Sequence, residues 1–181
     1  MNNRVQTKKL LNEYIDSKSL RNHSEMVASA MQAYAIHLNK SEEEVEKWWT
    51  SGLLHDLDWE KYPEEHPKKA VQEILPKHNY PQEILDAIQA HAPKRTGKEP
   101  TTEMERYLFA CDELSGFMYA VSLMRPNKFE DMKVKSVTKK IKDSKFAANI
   151  PREDLKKGAE LIKKDLKEHI QFLIHVFRSK N

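Results

Sequence analysis

Six residues in this chain have the types and spacing for metal chemistry: His23, His55, Asp56, His66, His91 and Asp112. Four imidazoles and two carboxylates divide naturally into two first-row metal sites. Mixed nitrogen and oxygen donors suit iron, manganese, cobalt, nickel or zinc better than calcium. An imidazole nitrogen serves one ion, whereas the two oxygens of a carboxylate can serve two, so Asp56 is placed to bridge. Asp112 is the hardest of the set to read as an ordinary side chain. It falls on the apolar stripe of its helix, where a carboxylate is costly unless paired or metal-bound.

For residues so scattered to act together, helices must carry them to one place. Apolar residues recur at helical spacing and glycines number only four, which predicts an all-α chain. A first helix is expected over about residues 5–17. A second, about 20–38, has His23, Val27, Met31 and Tyr34 on one stripe. Ser41 with Glu44 reads as a capping box opening a helix that ends near His55-Asp56. Pro67 suits the first turn of the next helix, placing His66 at its start, and Pro76 ends it. Pro81 opens a helix that carries His91 at its end and stops before Pro93. Thr102 with Glu105 caps a helix bearing Asp112. Residues 128–146 admit a helix or a short strand, and helix is preferred. Pro151 opens what reads as one long last helix, striped by Leu155, Ala159, Ile162, Leu166, Ile170, Leu173 and Phe177. A bundle of this kind can build a metal site in its core from side chains on facing helices.

The ordered set resembles the HD superfamily, whose pattern is a distant His, an adjacent His-Asp and a later Asp. Here these are His23, His55-Asp56 within Leu53-Leu54-His55-Asp56, and Asp112 within Ala110-Cys111-Asp112-Glu113. His66, followed by Pro67, and His91, after Ala87-Ile88-Gln89-Ala90, are similar to the extra histidines of dinuclear members. The resemblance implies a single-domain helical bundle of HD type over 1–181, with the motif-bearing core at about 20–120 and helices over about 128–179 packed on it. It also implies a phosphohydrolase with one or two divalent transition metals, in which Asp56 and Asp112 are catalytic. Leu57-Asp58-Trp59 follows His-Asp in place of the Ile-Gly-Lys of the cyclic-dinucleotide phosphodiesterases, and their Gly-Tyr-Pro signature is missing, which speaks against a cyclic dinucleotide substrate. The chain is most similar to small stand-alone members.

The expected substrate is small and phosphorylated, a nucleotide above all. Asp58, just past the motif, is a candidate acid or base. Lys94 and Arg95, directly after His91, are candidate phosphate contacts, as are Lys135, Lys139 and Lys140 in a lysine-rich segment. Trp48 and Trp49 read as core, and His37, His78, His169 and His175 as ordinary side chains. Lys+Arg of 31 against Asp+Glu of 28 leaves a net charge of +3, too even to call for nucleic acid or an anionic membrane. No run approaches the roughly 18 apolar residues of a membrane span, the start lacks a signal-type apolar core, and Cys111 is the lone cysteine. A cytoplasmic protein is expected. Two other functions remain open: a di-iron oxygenase of HD fold, and a nucleotide-binding regulatory module without turnover.

Overall fold

The computed structural model describes residues 3–179, which are helical and contain no strand. The all-α expectation holds. Helix α1 (Arg4–Tyr14) starts at a capping box made by Asn3 and Gln6. Helix α2 (Lys18–His37) starts at Ser17, whose hydroxyl accepts from the Leu20 amide. Helix α3 (Glu42–Leu54) follows Ser41, which accepts from the Glu44 amide, with three glutamates in its first turn facing the positive end of the helix dipole. Helix α4 (Gln82–His91) ends on His91, and Pro93 opens a single turn, α5 (Pro93–Thr96). Both halves of the Thr102–Glu105 box open α6 (Glu103–Leu123). Helices α7 (Val134–Ile141), α8 (Arg152–Leu161) and α9 (Leu166–Arg178) complete the order. No helix of the described residues is long and apolar enough to cross a membrane.

Two expectations are corrected. Pro67 opens a helical run, but not a regular α-helix. The chain turns through residues 60–67, is α-helical at Lys68 and Lys69, widens into a π-helical turn at Ala70–Ile74, and tightens into a 3₁₀ turn at Leu75–His78. Pro76, with no amide hydrogen and a ring that displaces the preceding turn, lies in the tight part. The long last helix is two. Lys163 adopts a left-handed conformation (φ 55°), and the Asp165 carboxylate caps α9 by accepting from the Lys167 amide. The apolar stripe persists across the break because Leu155, Ala159, Ile162, Ile170, Leu173 and Phe177 all still face the core. Periodicity reports burial, and burial does not require one unbroken helix. The ambiguous 128–146 segment is helical over Val134–Ile141, with Val137 turned inward.

Helices α2 and α3 form the most extensive pair, and α6 runs beside α2, α4 and α8. Trp48 and Trp49 are buried, as expected of core residues. At the centre Tyr34 stacks on Phe172, with ring centroids 3.9 Å apart, and its hydroxyl lies 2.7 Å from His169 Nδ1. His169 Nε2 donates to the Ala110 carbonyl at 3.0 Å, so Nδ1 is the acceptor and the buried imidazole is neutral. Burial, opposed by the Ala110 bond and aided by Lys164, pushes its pKa down to about 4. The unfolded chain binds this proton below about 6.5 and the folded chain does not, so stability is lost as pH falls from about 6.5 towards 4. Between pH 7 and 5 the loss from this residue is roughly 2 kcal/mol. Urea denaturation at the two pH values should show the pH-dependent loss shrinking by that amount in His169→Gln, whatever that variant's stability at pH 7.

Candidate metal centre

The expected six residues converge. His23 projects from the second turn of α2, His55 and Asp56 follow the last turn of α3, His66 comes from the turns after it, His91 ends α4, and Asp112 lies on α6. They fall into two groups able to hold an ion: His23, His55 and Asp112, and Asp56, His66 and His91. In the first, His23 Nε2 is 3.2 Å from His55 Nε2, and Asp112 Oδ1 is 3.0 Å from His23 Nε2 and 3.3 Å from His55 Nε2. In the second, His66 Nε2 and His91 Nε2 are 3.2 Å apart. Asp56 faces both groups. Its Oδ2 is 3.3 Å from His55 Nε2 and 3.8 Å from His23 Nε2, while Oδ1 is 3.5 Å from His66 Nε2 and 3.8 Å from His91 Nε2.

The hydrogen bonds behind the rings explain why these nitrogens turn inward. His55 Nδ1 donates to the Gly52 carbonyl at 2.8 Å, His91 Nδ1 donates to the Ile88 carbonyl, and His66 Nδ1 donates to Asp58 Oδ1 at 2.7 Å. Each of these three rings therefore carries a proton on Nδ1, which leaves Nε2 as the nitrogen able to ligate. In the His66–His91 pair, facing lone pairs at 3.2 Å repel unless a positive centre lies between them. Bonds of about 2.0–2.1 Å at tetrahedral or octahedral angles set neighbouring ligand atoms about 2.8–3.4 Å apart, and both imidazole pairs, at 3.2 Å, fall in that range. Charge points the same way. Burial disfavours ionisation of Asp56 and Asp112, yet the His55 and His23 imidazoles outweigh it and hold both carboxyls well below the usual carboxylate range. Burial opposes a charge on His55 too, but Asp56 and Asp112 overcome it and hold its pKa above the ordinary value. Neighbouring Glu113 is pushed up to about 8, first by burial and then by Asp112, Asp154 and Asp56, against the pull of Lys94. Both carboxylates are held ionised beside imidazoles whose Nε2 atoms converge on them, and a divalent metal would take the place of the proton on His55, so the residues present fit divalent metal.

A cleft of about 640 Å³ opens over this floor. Trp59, Lys94, Arg95, Glu113, Ile150 and Asp154 are among the residues that border it. The 149–151 stretch is held by Arg152, which donates to the carbonyls of Ile141, Asp143, Phe146, Ala147 and Ile150 and lies over the Phe117 ring. Lys94 and Arg95 are thus brought to the cleft.

Lys135, Lys139 and Lys140 do not border the cleft. α7 packs on α9 and α6, Lys135 and Lys139 point to solvent, and Lys140 pairs with Asp143 while lying over Phe146. Asp58 is also misplaced as an acid or base facing substrate. It is fully buried and both oxygens are engaged, Oδ1 by His66 and Oδ2 by the Ala70 amide at 2.7 Å. It sits behind the histidine, fixing the ring's tautomer and the start of the π-helical turn. Glu60 is likewise structural, accepting from the amides of Asp16 and Ser17 at the start of α2. Reading by sequence missed Trp59, Glu113, Asp154 and Lys157, which all border the cleft. Asp154 and Lys157, three apart, share a face of α8, but no sequence signal says that this face meets the cleft. Glu113 was legible in principle as the helical neighbour of Asp112.

Asp58→Ala leaves His66 Nδ1 and the Ala70 amide without an acceptor in a buried setting. Losing the carboxylate behind a ligating imidazole costs about 10–100-fold in metal affinity. Competition titration with a chromophoric chelator should show that loss in one equivalent of metal, with binding to the His23–His55–Asp112 group little changed.

Fold and site together define the class: an all-α domain whose helices bring clustered imidazoles and carboxylates into a geometry able to hold divalent metal ions. The chain belongs to the HD domain family. The family model matches residues 20–116, more than half of the chain, from just before His23 to just after Asp112. The family consists mostly of metal-dependent hydrolases. No curated protein and no solved structure matches the chain.

Proposed function

We propose that the protein is a metal-dependent phosphohydrolase that cleaves a phosphomonoester or nucleotide phosphoester. The observation that carries this reading is Asp56, with one oxygen turned to each ligand group. His23, His55 and Asp112 would hold one ion and His66 and His91 a second, with Asp56 between them. Metal in such a site lowers the pKa of water towards neutrality and neutralises charge building on phosphoryl oxygens. Iron, manganese, cobalt, nickel and zinc all suit the donor set.

The chain's own residues supply the rest. Nδ1–H bonds to Gly52, Asp58 and Ile88 keep three Nε2 atoms aimed at the floor, so the rings need no reorientation when charge develops. Lys94 and Arg95 provide positive charge along the cleft for a phosphorylated substrate. In the net reaction the water oxygen bonds to phosphorus, the bond from phosphorus to the ester oxygen breaks, and the alcohol leaves with a proton that originates from water. A small nucleotide is the expected substrate, and we place the reaction in the cytoplasm, in keeping with a single, buried cysteine.

Purified protein should contain up to two transition ions per chain when no chelator is used. With manganese, iron, cobalt or zinc it should release phosphate from some member of a panel of nucleotides and sugar phosphates. Metal-replete protein that is inert on the whole panel would overturn the reading, and oxygen consumption by the iron-loaded protein would replace it with the oxygenase.

A further inference from the structure

Three of the side chains bordering the cleft are lysine or arginine, and two of them already have carboxylate partners. Lys94 Nζ is 2.7 Å from Asp154 Oδ2, and Lys157 Nζ is 3.0 Å from Glu99 Oε2. Arg95 differs. Among the described residues its hydrogen-bond partner is the Pro63 carbonyl, which accepts from Nη1 at 2.7 Å, and no carboxylate pairs with it. Its guanidinium lies over the Trp59 indole, 4.9 Å from the ring centroid. The same indole meets the His66 ring edge-on, with centroids 4.9 Å apart. One aromatic side chain therefore spans the gap between this guanidinium and a histidine of the second ligand group. An indole face and a carbonyl hold an arginine in place without cancelling its charge. Nε and Nη2 keep their donors for something else.

We infer that Arg95, seated on Trp59, binds the phosphoryl group being cleaved and makes the site selective for phosphomonoesters over phosphodiesters. This rests on the phosphohydrolase reading above. A monoester's phosphoryl group carries three non-bridging oxygens and close to two negative charges at neutral pH, whereas a diester carries two such oxygens and one charge. With two oxygens turned to the two ligand groups, a monoester has a third left for a lateral donor. The planar fork of arginine fits that oxygen, or two oxygens at once. In a diester the corresponding position bears a carbon substituent, which offers the fork no charge and crowds the indole. Arg95 is thus a binding and specificity residue, and Trp59 a positioning residue that acts through it.

The test uses the full chain loaded with manganese. Inorganic phosphate is titrated calorimetrically, and kcat/KM is measured on p-nitrophenyl phosphate and bis(p-nitrophenyl) phosphate. Wild type should favour the monoester. Arg95→Ala should weaken phosphate binding and monoester kcat/KM by about 10–100-fold, the range for losing a charged hydrogen-bond partner, and lower diester kcat/KM by a much smaller factor, so that the monoester preference shrinks. Arg95→Lys should restore little of the loss. Trp59→Leu should lower phosphate affinity several-fold and Trp59→Phe should restore most of it, a pattern that loss of folding would not give. Unchanged phosphate affinity and ester preference in Arg95→Ala, or a wild type that prefers the diester, would overturn the inference and leave the hydrolase reading standing. If protein with both ions bound neither binds phosphate nor cleaves either ester, the hydrolase reading fails and the inference fails with it.

Discussion

Under the phosphohydrolase reading, Asp56→Asn is expected to slow hydrolysis by about three orders of magnitude or more and to lower bound metal by at least one ion per chain. The substitution keeps the shape of the side chain and replaces one carboxylate oxygen by an amide nitrogen, which cannot ligate. Since Oδ1 faces His66 and His91 while Oδ2 faces His55 and His23, whichever way the amide turns one group loses an oxygen, and both lose the bridging charge. Metal contributes several kcal/mol of charge stabilisation to such a reaction, and each 1.36 kcal/mol is tenfold in rate. Metal content by elemental analysis, paired with steady-state rates, checks the two effects together. The folded helix content should persist, because Asp56 borders the cleft and is not part of the apolar core. A variant retaining two tightly bound ions and more than a tenth of the activity would show that Asp56 does not bridge.

Gly52→Ala is expected to be the most disruptive single-methyl change in the chain. In a helix interior this substitution normally gains about 0.5–1 kcal/mol from reduced backbone freedom. Here the added Cβ would lie 2.8 Å from Ala28 Cα, 2.9 Å from the Ala28 nitrogen and 2.9 Å from the Val27 carbonyl oxygen. These are backbone atoms of α2, so no rotamer change relieves the overlap and the two helices must part. Overpacking of this kind costs about 3 kcal/mol, which exceeds the propensity gain. For a chain of this size that is a fall in Tm of about 6–12 °C. The effect reaches the site as well, since the Gly52 carbonyl accepts from His55 Nδ1 and the pair His23–His55 spans this same interface. Thermal unfolding should show the drop. Metal affinity of the first group should fall with it, even at temperatures where the variant is folded.

The comparison of these two positions shows where reading the sequence succeeds and where it stops. Asp56 was legible because its chemistry is written in residue type and local spacing: His-Asp at the end of an amphipathic helix, with a further histidine or carboxylate at the inner face or end of other elements. Gly52 was not legible, because nothing local says which backbone a helix will approach. Gly158, whose Cβ would meet Ala110 Cα at 2.8 Å, is a second such contact, between α8 and α6. The lysines divide along the same line. Lys94 and Arg95 follow His91 closely enough that chain connectivity carries them to the cleft, whereas Lys135, Lys139 and Lys140 could reach it only if α7 packed there, and it packs elsewhere.

By itself the sequence determined the helical character, the caps at Ser41 and at Thr102–Glu105, the six ligand candidates and the family they resemble. All of these depend on interactions within a few residues or on side-chain chemistry alone. Tertiary structure decided that Asp58 stands behind His66, that the last helix divides at Lys163, that Trp59 carries Arg95, and that Asp154 and Lys157 face the cleft. The break at Lys163 is a left-handed turn inside a continuous apolar stripe, and the other three depend on the distance between residues of separate segments. That distance is set by how closely helices pack, which hydrophobic periodicity does not encode.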